Sequence, residues 1–438
     1  MDSIKIAILG FGNIGIGVWK ILNKNDKKIK KTLGKSIEVK KILVRDIEKN
    51  RSVNAPKTKF TTSFDDIVSD PEIRIVIELI GGTDPAFQYI RSCLEHGKHV
   101  VTANKAVLAT YGSELLDTAK ANGVELGYEA SVAGGIPIIA TLNQGLAANE
   151  IEEITGIING TTNYILTQMT AKGMSLNDAL KEAQRLGYAE ADPTSDVEGQ
   201  DASYKLAILT SIAFGIQVSP DNIPTHGIMD VSEKEIKYAG QLGFVVKLLA
   251  RVKRKDNDLE LYVHPALVPA DHPLAAVNNE FNALFIRGNA VGDLMLYGRG
   301  AGELPTGSAV LSDVMEIIFK MSTGLCSRCD INSNNSNVNI VGEGWGEYYI
   351  RLQVADEPGV LGKISTVFGS YDISLFSVVQ HGRGEEQVSV VFVTHKVERK
   401  QLDRALEEIA EFEFVHEIAS ILRVEKFKEN IKTDIDIT

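Results

Sequence analysis

Hydrophobic spacing divides the chain into a strand–helix alternation, a mixed stretch and a compact C-terminal unit. Ile4-Lys5-Ile6-Ala7-Ile8-Leu9 is a short β-rich run ending at a glycine cluster, after which Ile14, Val18, Ile21 and Leu22 recur at helical spacing. A strand over 37–44, another over 73–80, a helix over 85–95 and a strand over 99–102 follow. This alternation predicts a parallel, doubly wound sheet over residues 1–130. From Glu129 glycine-rich loops and longer helices alternate with strand-like pieces at 152–158, 259–267 and 282–291, which predicts a second, α+β domain for substrate and dimerisation over 131–320. The polar, low-complexity run Asn332–Asn339 marks a linker within 321–345. Beyond it Tyr348, Ile350, Leu352 and Val354 alternate as in a half-buried strand, and Val360, Ile364, Val367 and Phe368 have helical spacing. Strands over 373–379 and 388–393 joined by the turn at 381–384, a helix through Leu402, Leu406 and Ile409, and a strand over 417–424 complete the unit. The order β-α-β-β-α-β over 346–426 is the ferredoxin-like split unit, with 427–438 as a tail.

Composition narrows the function classes. The 438 residues are 44% hydrophobic and 24% charged, as in an ordinary globular protein of two to three domains. A formal charge of −12 argues against nucleic acid or an anionic membrane as the main partner. The lysine-rich run 24–35 reads as a solvated helix end or loop. Three cysteines make no disulfide framework. Cys93 reads as core, and Cys326-Ser327-Arg328-Cys329, without a second pair, as incidental or weakly redox-sensitive thiols. The histidines show no ligand spacing and read as turn or surface residues. With no signal peptide evident and no apolar run of membrane length, a cytoplasmic protein is expected.

Candidate chemistry starts at Gly10-Phe11-Gly12-Asn13-Ile14-Gly15, a G-x-G-x-x-G run between a strand and a helix. The glycines allow a tight turn and close approach of a pyrophosphate, and the helix N-terminus offers N–H donors to it. The second strand ends Val44-Arg45-Asp46: Arg45 suits a 2′-phosphate and Asp46 a free ribose, which favours NADP(H) and leaves NAD(H) open. Gly81-Gly82-Thr83 follows the Glu78 strand where its carboxyl end would face the cofactor, and Lys105 lies just past the strand 99–102 at the same edge. Between Gly187 and Lys205 the acids Glu190, Asp192, Asp196 and Asp201 lead into an apolar helix. Ser195 to Glu198 reads as a capping box, with Asp201 and Lys205 stacked four apart beyond it. The same pair also fits an exposed helix salt bridge.

Together the stretches 10–15, 101–105, 129–137, 156–166 and 187–205 resemble homoserine dehydrogenase, and the residues after Gly342 resemble an ACT domain, with Asp356-Glu357-Pro358-Gly359-Val360-Leu361 as its first strand-to-helix loop. The resemblance implies a Rossmann-type nucleotide domain, a substrate domain and an amino-acid-sensing module. It implies reversible reduction of L-aspartate 4-semialdehyde to L-homoserine by NAD(P)H in a homodimer or homotetramer, with an amino-acid effector, threonine, on the ACT module. It gives Lys205 the role of principal proton donor and acceptor, with Lys105 a second catalytic lysine near the nicotinamide. Glu190 would hold the substrate's amino group, Asp196 and Asp201 would orient the lysine, and Gly160, Thr161 and Tyr188 would contact substrate. Thr83 and Gly302 join the cofactor set, with 300–320 returning to the nucleotide domain. The backbone carbonyls of Glu129, Val132, Gly134 and Ile136 would hold Na+ or another monovalent cation. Asp192 is left structural, setting the turn at Pro193. The rival readings are an amino-acid sensor with a relic dehydrogenase domain, or another NAD(P)-dependent enzyme acting on an amino acid.

Overall fold

A computed structural model describes residues 3–324, 339–342, 344–382 and 387–427. Strands β1 (Ser3–Leu9), β2 (Ser36–Leu43), β3 (Phe60–Thr61), β4 (Ile73–Glu78), β5 (His99–Thr102) and β6 (Leu126–Gly127) form one sheet in the order β3-β2-β1-β4-β5-β6. Every pairing in it is parallel. The order reverses between β1 and β4, so the crevice beyond their carboxyl ends is where such a sheet takes a ligand. Ile6, Ile8, Ile75 and Ile77 are fully buried, as strands covered on both faces require. The helix Asn13–Leu33 continues through the lysine-rich run, which is an exposed helical extension ending at Gly34.

The helix Glu303–Thr323 crosses back onto Asn13–Leu33. A Cβ on Gly17 would lie 2.0 Å from the Glu303 carbonyl oxygen, and one on Gly307 3.0 Å from the Gly17 backbone. The two glycines let the helices touch backbone to backbone, and Lys20 Nζ reaches Glu303 Oε1 at 2.8 Å.

Strands β7 (Ile151–Ile157), β8 (Phe244–Lys255), β9 (Asp258–Pro269), β10 (Phe281–Gly288) and β11 (Gly292–Arg299) form the second sheet. The single strand expected over 282–291 is thus a hairpin whose turn falls at 289–291, with Gly292 in the left-handed region (φ +71°). After β12 (Asn339–Val341) the C-terminal unit follows with β13 (Trp345–Ala355), the helix Val360–Ser370, β14 (Leu375–His381), β15 (Gln387–Thr394), β16 (Val397–Glu398), the helix Arg399–Ala410 and β17 (Val415–Val424). This is the expected β-α-β-β-α-β order with the short β16 added.

The second sheet and the strands of the C-terminal unit form one continuous sheet. The ladder runs β11-β10-β7-β8-β9-β17-β13-β15-β14, with β17 parallel to β9 through Arg423–Ala266 and Val424–Leu267. β12, inside the expected linker, pairs with β9 through Asn339–Asp258 and Val341–Glu260. Tyr349, Val391, Leu422 and Val424 of the C-terminal unit share a core with Val246, Leu248 and Val263 of the second domain. Buried Arg351 on β13 pairs with fully buried Glu235 on the helix Glu233–Gln241. No helix among the described residues is long and apolar enough to cross a membrane.

His99 and His264 depart from the expected surface placement, each 8% exposed or less. His99 Nδ1 accepts from Glu125 N at 2.9 Å, and His264 stacks on Tyr262. Cys93 is buried in the helix Ala86–Glu95, and burial pushes its thiol up to about 12. Cys326 and Cys329 lie outside the described residues.

Candidate active site

The site lies between the carboxyl edge of the parallel sheet and the start of three helices. Gly10 bends the chain after β1 at φ +92°, where a Cβ would lie 2.7 Å from the Leu79 carbonyl oxygen. Phe11 is buried, and Gly12 caps the helix that Asn13 and Ile14 open, with open space where a side chain would be. Gly15 leaves no room for a Cβ, which would sit 2.7 Å from the Gly10 carbonyl oxygen. The cradle of open backbone at a helix N-terminus fits a dinucleotide pyrophosphate.

Arg45 and Asp46 are exposed just past β2, with Asp46 Oδ1 accepting from Glu48 N at 2.8 Å. Thr83 is exposed beyond β4, and its loop is tied to the next helix because Asn104 Nδ2 donates to Gly82 O at 2.6 Å. Asn104 also caps the helix Lys105–Ala121 by accepting from Val107 N, which fixes the backbone of Lys105 at the helix's first position. Gly302, at φ +125°, begins the returning helix Glu303–Thr323.

The acidic stretch folds differently from its sequence signature. A short helix spans Thr194–Val197, and the helix that carries the lysine is Gln200–Phe214, with Gly199 between them in the left-handed region (φ +84°). Ser195 therefore makes no capping box with Glu198; Asp192 caps the first turn, accepting from Thr194 N and Oγ1 at 3.1 and 2.6 Å. Asp201 stands in the first turn of Gln200–Phe214, four residues before Lys205.

Asp201 clasps both lysines. Its Oδ1 lies 2.7 Å from Lys105 Nζ and its Oδ2 2.6 Å from Lys205 Nζ. Lys205 Nζ also donates to Ile158 O at 2.8 Å, at the end of β7, which leaves one N–H of the ammonium for a ligand. The Asp201 side chain is 6% exposed and that of Lys205 12%, whereas Lys105 stands open at 38%. Burial alone would push the Asp201 carboxyl up, but the Lys205 and Lys105 ammoniums hold it well below the usual carboxylate range. Burial works to lower Lys105, and the charge and hydrogen bond of Asp201, with Asp196 and Glu190 beyond, outweigh it and raise it. An exposed helix salt bridge is excluded by this burial and by the second lysine.

Asn159 joins this group without having stood out in the sequence. It caps the helix Gly160–Lys172 by accepting from Thr162 N at 2.8 Å, and its Nδ2 donates to Asp196 Oδ1 at 2.7 Å and Asp201 Oδ2 at 2.9 Å. Its signal was the Asn-Gly pair ahead of a helix, legible as a cap but not as a bridge between carboxylates. Thr161 Oγ1 lies 3.0 Å from Asp196 Oδ2 and 2.7 Å from Tyr188 O, so its single proton serves one acceptor at a time. Gly160 packs against Glu280 O, where a Cβ would sit at 2.8 Å. Tyr188, 38% exposed, lays its ring against Tyr164, and Glu190 is exposed.

Residues 129–136 form a loop beside the returning helix, buried except at Gly135. Glu129 caps Ile138–Ala140, its carboxylate accepting from Ile139 N and Ala140 N at 2.9 and 2.7 Å. Its own N–H donates to Asp313 Oδ2 at 2.8 Å, and burial pushes the Asp313 carboxyl up to about 8. Ala133 and Gly134 both have φ near +53°, and Val132 and Ala133 are fully buried. The Ile136 carbonyl accepts from Ile138 N and that of Glu129 more distantly from Val132 N, while those of Val132 and Gly134 accept no hydrogen bond among the described residues.

A nucleotide-binding sheet whose crevice meets a carboxylate-clasped lysine pair defines a nicotinamide-dependent oxidoreductase. Comparison with known proteins gives the family. Residues 10–129 match the family model "Homoserine dehydrogenase, NAD binding domain", 137–315 "Homoserine dehydrogenase" and 348–414 "ACT domain". The chain is 44% identical to the homoserine dehydrogenase of Synechocystis over 96% of this chain and 99% of that one. It is 40% identical to that of Bacillus subtilis over 97% and 99%. The crystal structure of a homoserine dehydrogenase from Thiobacillus denitrificans superposes with a TM-score of 0.91 at 40% identity, covering 97% of this chain and 99% of that one. A hyperthermophilic archaeal homoserine dehydrogenase in complex with NADPH covers 74% of this chain and 99% of its own at a TM-score of 0.61 and 28% identity. The chain belongs to the homoserine dehydrogenase family.

Proposed function

We propose that the chain catalyses the reversible reduction of L-aspartate 4-semialdehyde to L-homoserine, with Lys205 as proton donor. The observation that carries this is Asp201 holding Lys105 and Lys205 together beside the nucleotide cradle. The bound nicotinamide supplies or accepts the hydride. As the aldehyde oxygen gains charge, the free N–H of Lys205 stabilises it and delivers the proton; in reverse, the neutral amine takes it back. Lys105, more open, places a second cationic charge at the same carboxylate. Glu190 and Asp196 supply negative charge for the substrate's ammonium, while Gly160, Thr161 and Tyr188 shape the entrance.

NADP(H) is the preferred cofactor in this reading, supported by the exposed Arg45 past β2, with NAD(H) usable through Asp46. Gly10 to Gly15, Thr83 and Gly302 complete the cofactor set. Two carbonyls in a buried loop without donors suit a monovalent cation, and we assign it to the backbone of Glu129, Val132, Gly134 and Ile136. Threonine is the proposed effector of the C-terminal module, and the chain is proposed to act in the cytoplasm. A homodimer or homotetramer is proposed, with dimerisation through the second domain, whose edge strand β11 carries Tyr297 at 55% exposure.

The test follows loss of reduced-nicotinamide absorbance with aspartate semialdehyde. Turnover by the wild type and its loss in Lys205→Ala is the expected result. An inactive wild type refutes the activity, and a fully active variant refutes the role of Lys205.

A further inference from the structure

Position 78 breaks the pattern of its strand. In β4 the side chains of Ile73, Ile75, Val76 and Ile77 are all buried, and the strand then ends on Glu78, which is fully buried too. A carboxyl out of reach of water is costly, and burial pushes that of Glu78 above its ordinary range. An apolar residue would carry no such cost; the partners of Glu78 show what offsets it.

Glu78 is level with Leu9 of β1 on one side and with Thr102 of β5 on the other. Thr102 Oγ1 donates to Glu78 Oε2 at 2.6 Å, and Ile80 N donates to Oε1 at 2.6 Å. The same threonine oxygen accepts from Asn104 N at 3.0 Å, and Asn104 Nδ2 donates to Gly82 O at 2.6 Å. These bonds close a ring, from Glu78 through Thr102 and Asn104 to Gly82 and back along the chain. The ring ties the loop after β4 to the loop after β5. The first loop, with Gly81 and Gly82 at φ +80° and +71°, starts against the Gly10 turn, where Leu79 N donates to Leu9 O at 2.8 Å, and runs on to Thr83. The second ends at Asn104, the cap of the helix that Lys105 opens, and Lys105 Nζ meets Asp201 Oδ1 at 2.7 Å. With no exposed surface, Glu78 can act on a ligand only through the two loops it joins.

We infer that Glu78 is a positioning residue, which fixes the 79–83 loop to the Lys105 helix and so holds the cofactor's edge of the site in register with the lysine pair. The inference rests on the proposed function for what binds at that edge, and goes beyond it in naming a residue that touches neither cofactor nor substrate. Only hydrogen-bond geometry is asked of the side chain. A glutamine keeps it: its oxygen accepts from Ile80 N, and its Nε2 donates to Thr102 Oγ1, whose second lone pair stays with Asn104 N. An alanine leaves the Ile80 N–H and the Thr102 hydroxyl unmet where water does not reach.

Titration of the full chain with NADPH, followed by the cofactor's fluorescence, tests this without turnover. Glu78→Ala is expected to raise the NADPH Kd about tenfold or more. It should also lower kcat, with the KM for aspartate semialdehyde within about threefold of wild type, because Glu190, Asp196 and Thr161 belong to the other domain. Glu78→Gln should bring Kd and kcat back to within about threefold of wild type. A lower melting temperature for Glu78→Ala with an unchanged Kd in the folded protein overturns the proposal, as does a glutamine variant as impaired as the alanine one. Should Glu78→Ala fail to fold, Thr102→Val keeps the side chain's shape and removes the hydroxyl from the ring. It carries the same expected rise in Kd, and an unchanged Kd then overturns the proposal. A wild type that binds NADPH but does not reduce the semialdehyde refutes the proposed activity, and the Kd comparison still decides the role of Glu78. A wild type that binds no NADPH refutes both.

Discussion

Two buried carboxylates with opposite behaviour set the chemistry of individual residues. Asp201 is fully committed to two ammoniums, so Asp201→Asn removes the charge that lets them sit on one side chain. A fall in kcat/KM of about a hundredfold or more is expected. With the raising effect of Asp201 gone from Lys105, the alkaline limb of the pH–rate profile should move to lower pH. A rate measured from pH 6 to 10 checks both; an unshifted limb denies the coupling. Asp313 is the converse case, held up to about 8 by burial. Its folded form keeps a proton that the unfolded form has lost, so its contribution to stability falls as pH rises from about 4 to about 8. Asp313→Asn should flatten that fall and be the more stable form at pH 9, as denaturant titrations at pH 6 and 9 would show.

Elements carry the next level, where close contacts decide geometry. At the helix crossing, Gly17→Ala would push Asn13–Leu33 off Glu303–Thr323, since the added carbon lands 2.0 Å from a carbonyl oxygen. A loss of about 1–3 kcal/mol is expected from such overpacking, together with a raised KM for the cofactor, because the same helix opens with the nucleotide cradle. Thermal melts and cofactor titration read the two effects. The nucleotide sheet, the hairpin-like C-terminal strands and Asp201–Lys205 were legible because each is written in local spacing: a glycine run after a strand, alternation of period two, an i, i+4 pair. The capping box at Ser195 misled because Gly199 interrupts the helix in a conformation the four-residue motif does not register. Asn159 gave only a cap signal, since its two carboxylates are 37 and 42 residues away. Glu153, in the expected strand 152–158, carried no signal of its own; β8 and β10 on either side of β7 bury it.

At the scale of the whole molecule, the regulatory unit is built into the catalytic one. Arg251 sits between Glu153 and Glu425, all three nearly inaccessible to water, and Arg351 with Glu235 makes a second buried bridge. Replacing one partner strands the other's charge, so Arg351→Met should cost about 3–5 kcal/mol. Scanning calorimetry should show the wild-type C-terminal unit melting together with the substrate domain and the variant's melting first. None of these pairs is visible in a linear reading, because the bridges span 98 to 174 residues and pattern alone cannot align two sheets across an asparagine-rich linker. The outer flank of β9 is shared by three visitors: β12 along Asp258–Glu260, Thr225 bridged to Val263, and β17 at Ala266–Leu267. Removing everything after Gly324 would strip two of them and bare a run of unpaired amides on a hydrophobic strand, an adhesive seam for other chains. A shortened enzyme that precipitates or loses turnover would then report a torn edge of β9, not the loss of a regulator.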